Sequence, residues 1–113
     1  MTLAQDYLNE VKARIAASPL VASAELVAER ILSDRGYVRL RLVLINGDFL
    51  ELSEYFALKA GSFSTLEYRY QWMDGLRVHL KKRWDNARRY ADLPNHPHHI
   101  HDGSDTHVLP GRH

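Results

Sequence analysis

In the segment 1–18, Leu3, Tyr7, Leu8, Val11 and Ile15 recur at three- and four-residue spacing, while Asn9, Glu10, Lys12 and Arg14 fall between them. This is the period of an amphipathic helix, with Thr2 placed as its N-cap and Pro19 as its stop. From Val21 to Leu32 helical and extended signals overlap, and the segment is assigned as a strand because a run of strands follows. Val38, Leu40, Leu42 and Leu44 then alternate with Arg39, Arg41, Val43 and Ile45, the period of two of a half-buried strand. Asn46-Gly47 supplies a tight hairpin turn, Phe49 to Leu58 returns as a strand, and Ala60-Gly61-Ser62 breaks the chain before a further strand from Phe63 to Met73. After a second turn at Asp74-Gly75, Leu76, Val78, Leu80 and Trp84 continue one face of a last strand, with Arg77, His79, Lys81 and Arg83 on the other.

Beyond Asn86 the periodicity ends, and Pro94, Pro97, Gly103, Pro110 and Gly111 punctuate the chain, which predicts a tail or wrapped loop over 87–113. The expected fold is α+β, with an N-terminal helix (1–18) packed on an antiparallel sheet of about four or five strands (21–86), followed by an irregular, histidine-rich C-terminal segment. No internal repeat or linker divides the chain, so 1–113 is expected to form a single domain.

Composition removes several function classes. The chain holds no cysteine, which excludes disulfides, thiolate metal sites and a cysteine nucleophile. A 45% apolar and 26% charged composition is ordinary for a globular protein. The start of the chain lacks a signal-peptide pattern, and no stretch approaches the roughly 20 apolar residues of a membrane span, so a cytoplasmic protein without a membrane partner is expected. The formal net charge is only +1, but Arg77, Lys81, Lys82, Arg83, Arg88 and Arg89 cluster against the single acid Asp85. That local excess can follow a phosphate backbone.

Four groups of residues bear on the possible chemistry. Arg39, Arg41, Arg69, Arg77, His79, Lys81 and Arg83 could share one solvated sheet face, in part neutralised by Glu51, Glu54 and Glu67. Tyr68, Tyr70 and Trp72 share a face in phase with Leu66 and are assigned to a core stripe under the helix rather than to a base-stacking platform. His96, His98, His99 and His101, with His107 beyond, could bind a metal or move protons, although their spacing matches no established zinc motif and His98 and His99 point to opposite sides of an extended chain. Asp85-Asn86, where the chain leaves the last strand, could orient an imidazole or simply close the strand in an Asx turn.

Tyr70-x-Trp72, Asp74-Gly75, Arg83-Trp84-Asp85-Asn86-Ala87, Leu93-Pro94 and Pro97-His98-His99-x-His101 together resemble the signature of the TumE family, the toxin half of a prokaryotic toxin–antitoxin pair. The likeness is specific in the C-terminal half and general in the N-terminal half. Arg88-Arg89-Tyr90 departs from it, standing where the family pattern has a proline and histidines, and makes the segment more basic. The resemblance joins Asp85, Asn86, His98, His99 and His101 into one motif. It implies the toxin of a type II module, held by a cognate antitoxin and acting on nucleic acid, RNA before DNA. The expected activity is that of a metal-independent endoribonuclease needing no cofactor. Asp85, His98, His99 and His101 are its expected catalytic groups, and Arg69, Arg77, Lys81, Arg83 and Asn86 its substrate contacts. The alternatives are a non-catalytic module docking a partner through the basic face and a histidine-liganded metal protein; a homo-oligomer is left open.

Overall fold

The computed structural model describes residues 3–113; the Thr2 cap lies outside them. One helix, α1 (Leu3–Ala17), precedes seven strands: β1 (Val21–Ile31), β2 (Arg35–Leu44), β3 (Phe49–Lys59), β4 (Ser62–Met73), β5 (Leu80–Asp85), β6 (His99–Asp102) and β7 (Val108–Pro110). All seven form one sheet in the order of the sequence, and every neighbouring pair is antiparallel. None of the described helices is long and apolar enough to cross a membrane.

The count of strands corrects the expected four or five, and the difference lies in the C-terminal segment. That segment is not an irregular tail: β6 and β7 add to the outer edge of β5. The edge of β5 carries N–H and C=O groups that need partners; β6 supplies them, and β7 in turn pairs with β6. Strands of four and three residues are too brief to show a period in the sequence. Pro110 is tolerated because it ends the outermost strand, and Gly103 turns with a positive φ of 77° between the two.

The start of the last long strand also moves. Asp74 Oδ1 accepts the backbone N–H groups of Val78 and His79 and closes a loop, so β5 begins only at Leu80. Leu76 and Val78 are consequently exposed rather than part of an apolar strand face. At Ala60-Gly61, φ values of 50° and 84° make the two-residue turn that joins Lys59 to its partner Ser62.

Residues paired across the strands share a face, so the register divides the sheet in two. One face carries Val38, Leu40 and Leu42 of β2 and Phe56 of β3, which with Ala4 and Leu8 of α1 form the buried core. Tyr7 packs its ring against Phe56 and Phe63, at 4.4 and 5.6 Å between centroids, and donates its hydroxyl to Glu54. The helix lies over the β1–β2 end of this face. Tyr68, Tyr70 and Trp72 belong to the same face, paired with Glu54, Leu52 and Leu50, but they lie beyond the helix and are covered by the C-terminal end: His113 stacks on Tyr68 and meets the Tyr70 hydroxyl. Leu66 is not in their phase. The register slips between Tyr55 and Phe56, which brings Thr65 opposite Phe56 and leaves Leu66 bulged and exposed.

Phe56 fills the space over Gly36 so closely that a Cβ there would meet its ring at 2.5 Å and the Ile31 side chain at 3.0 Å. Phe56 is itself fully buried and has nowhere to retreat. Gly36→Ala is therefore expected to cost about 1–3 kcal/mol of folding free energy, read as a lower urea midpoint with an unchanged slope; an unchanged midpoint would mean that the ring is free to shift.

Candidate active site

The second face of the sheet, turned away from the helix, holds the chemistry at its β4–β6 end. Asp85 pairs with Arg69 on one side and His99 on the other, and Arg83 pairs with Gln71 and His101 in the same way. Cross-strand partners project to one side, so Asp85, Arg83, His99, His101, Arg69 and Gln71 stand together. Alternation along β6 sends His98 and Ile100 to the opposite face. The motif histidines are thus split: His99 and His101 join Asp85, whereas His98 shares a 2.8 Å hydrogen bond with the Tyr68 hydroxyl.

Asp85, His99 and His101 are buried, with His99 at 2% exposure. His99 Nε2 lies 2.7 Å from Asp85 Oδ1, and His101 Nε2 lies 3.5 Å from Oδ2. Each imidazole turns its other nitrogen to the backbone: His99 Nδ1 donates to the Pro97 carbonyl at 2.9 Å and His101 Nδ1 to the Asp105 carbonyl at 3.0 Å. The Ala87 N–H and Arg83 Nε also donate to the Asp85 carboxylate, at 3.0 and 3.3 Å. Arg83 is fixed in turn by the Asp105 carboxylate at 2.8 Å and by Gln71 Oε1, which Arg69 shares. The Tyr90 ring stands edge-on to both imidazoles. Burial, joined by the nearby charge of Arg83, pushes His101 below the ordinary imidazole value, although the Asp105 carbonyl and Asp85 act against it. Asp85, His99 and His101 each offer a ligand atom, and the three atoms lie within 4.8 Å of one another, so this trio could hold a metal ion.

The cluster opens into a cavity of about 890 Å³ bordered by Arg69, Arg83, Arg88, Arg89 and Lys59, with Glu54 and Glu67 as acids on its wall. Arg88 and Arg89 therefore line the site. Asn86 reaches the cavity wall but spends both ends of its amide on β4, accepting from the Tyr68 N–H and donating to the Leu66 carbonyl at 2.9 Å each. It closes the gap left by the β4 bulge. Gln71 and Asp105 are site residues that the sequence does not mark, and Tyr90 is marked there only as a departure from the family pattern; Asp105 and Tyr90 carry no spacing signal, because loops bring them in.

Arg77 and Lys81 lie elsewhere. Arg77 stacks over the Phe49 ring at 3.9 Å in the loop before β5. A register slip next to Trp72 carries Lys81 to the helix-bearing side, where its Nζ meets Asp48 Oδ2 at 2.6 Å beside the Trp72 indole N–H, which donates to the same oxygen at 2.9 Å. Arg39 and Arg41 share Glu51 farther along the open face.

The Lys81 hydrogen bond, then that of Trp72, holds the Asp48 carboxyl below the usual carboxylate value. A depressed carboxyl pKa stabilises the fold above the unfolded value and ceases to do so as pH falls through the folded one. Melting temperature is accordingly expected to fall on acidification below about pH 4, with a smaller fall in Asp48→Asn. Parallel melting curves for the two proteins between pH 3 and 6 would count against this tie.

No curated protein and no solved structure matches the chain. Residues 11–112, nearly its whole length, match the family model described as Toxin TumE. The motif that this face assembles around Asp85 and His99 lies inside the matched span, and the chain belongs to the TumE toxin family.

Proposed function

We propose that this toxin, the counterpart of a cognate antitoxin in a toxin–antitoxin system, acts by cleaving RNA at the Asp85–His99–His101 cluster. The observation that carries the proposal is the buried carboxylate–imidazole trio opening into an arginine-lined cavity. Phosphodiester cleavage needs positive charge where the phosphoryl oxygens become more negative, and Arg83, braced by Asp105 and Gln71, offers it without reorganisation. Arg69, Arg88 and Arg89 extend the cationic rim along which flanking phosphates can lie. RNA is favoured over DNA because its 2′-hydroxyl is an internal nucleophile: its oxygen attacks the adjacent phosphorus, the bond to the 5′-oxygen breaks, and the proton lost by the first oxygen is balanced by one gained by the second. Asn86 acts here as a positioning residue that keeps the end of β5, and so Asp85, against β4.

Growth arrest on induced expression, with total RNA examined in the same cultures, tests the proposal. Wild-type protein is expected to fragment RNA, and Asp85→Asn and His99→Ala to lower cleavage at least 100-fold in purified protein with an unchanged circular dichroism spectrum, about what is lost with an essential catalytic group. If the variants lose antitoxin binding instead, while RNA stays intact with wild type, the face is a docking surface and the ribonuclease proposal fails.

The rim gives a separate expectation. Each phosphate contact on a single strand contributes about 0.7 to the slope of log affinity against log salt. Arg88→Ala combined with Arg89→Ala should weaken binding of single-stranded RNA and lower that slope by about 1.4. An unchanged slope in a salt titration would remove these arginines from the RNA path.

A further inference from the structure

We infer that Asp85, His99 and His101 form a three-ligand centre for a divalent transition ion of the zinc class, with its open coordination position turned towards the cavity. The inference rests on the proposed use of the same site and deepens it. Its basis is the direction of the two imidazoles. A carbonyl oxygen can only accept, so the contacts to Pro97 and Asp105 place a proton on Nδ1 of both rings. In the neutral rings the lone pair is then left to Nε2, and both Nε2 atoms face one carboxylate. Three acceptor atoms then lie within 4.8 Å of one another. Filling both nitrogen–oxygen gaps with protons needs two imidazolium rings 5.0 Å apart, whereas one metal ion serves all three donors at once. An imidazole whose far nitrogen donates to a backbone carbonyl is also the usual outer support of a metal-ligating histidine.

The scaffold is rigid enough for such a centre. Asp85 and His99 are direct partners on adjacent strands, and His101 is the next residue on the same face. Gly111 lies against the His99 backbone, with 3.0 Å from a virtual Cβ to the carbonyl carbon, so β7 backs the ligand strand closely. Tetrahedral zinc with bonds of about 2.0–2.2 Å sets its ligand atoms about 3.4 Å apart. The trio, with contacts of 2.7 and 3.5 Å and all three atoms within 4.8 Å, reaches that spacing through small side-chain rotations. Two nitrogen donors and one oxygen favour zinc-class ions over magnesium or calcium, which require mostly oxygen ligands. Arg83 places a positive charge beside the site, but its guanidinium is shared between the Asp105 carboxylate at 2.8 Å and Asp85 Oδ2 at 3.3 Å. Among the described residues three protein ligands converge, and all three line the cavity, which leaves a position where a phosphoryl oxygen can be polarised.

The test is calorimetric titration of the untagged full chain with zinc after removal of metal by a chelator, together with the visible spectrum of the cobalt-loaded protein. About one zinc per chain is expected, with tetrahedral cobalt bands. Asp85→Asn and His99→Ala should weaken zinc at least about 100-fold, and His79→Ala, remote from the trio, should leave it unchanged. Should His99→Ala fail to fold, nitrogen-detected spectra of wild-type imidazoles decide: zinc must shift Nε2 and leave Nδ1 protonated in two histidines. Absence of stoichiometric zinc in folded wild-type protein, or equal zinc affinity in His99→Ala, overturns the inference. Full RNA cleavage by metal-free protein also overturns it while the ribonuclease proposal stands; stoichiometric zinc at the trio without RNA cleavage upholds the centre and overturns the ribonuclease proposal alone.

Discussion

The pairing of β5 with β6 is the constraint on which the rest of this molecule depends. Asp85 sits at the last position of β5, and its opposite residue is His99. That single register places a carboxylate, two imidazoles and a guanidinium on one side of the sheet, because partners across antiparallel strands share a face. A shift of one residue would turn His99 and His101 to the aromatic side and put Ile100 beside Asp85 in their place. The register is held from several directions. Asn86 ties the end of β5 to β4, Gly111 lets β7 approach the His99 backbone, and the Ala87 N–H fixes the carboxylate itself.

The two faces of the sheet divide the work. The helix-bearing face buries an aliphatic and aromatic core at one end and a polar aromatic layer at the other, where Tyr68, Tyr70, His98 and His113 stack and share hydrogen bonds. Among the described residues the opposite face has no helix, and there buried polar groups meet one another: the Ala87 N–H and Arg83 Nε donate to Asp85, which faces both imidazoles, and no buried side-chain nitrogen or oxygen among the described residues lacks a partner. Such full satisfaction is what makes a buried charged cluster affordable to the fold. It also means that a change to one member disturbs the others, so single substitutions in this cluster cannot be treated as additive.

Membership in the TumE toxin family sets the biological frame, a toxin matched by an antitoxin. Within that frame the arginines at 88 and 89 gain meaning from their place on the cavity rim, next to Arg69 and Arg83. Tyr90, the next residue, stands edge-on to both imidazoles.

Much of this was legible in the sequence. The helix of 3–17, the strands of β2, β3 and β4 and the Asn46-Gly47 hairpin follow from periodicity and turn chemistry, which are local. Asp85, Asn86 and the histidine run were legible as a motif, and alternation alone separated His98 from His99. What only tertiary structure decided is which of these residues meet. β6 and β7 are too short to announce themselves and exist because the edge of β5 offers hydrogen bonds that a neighbouring chain can complete. Lys81 left the basic face through a register slip, and Asp105 and Tyr90 entered the site from loops that carry no period. Local propensity determines the pieces; the pairing of distant backbone segments determines the site, because hydrogen-bond register depends on residues far apart in the chain.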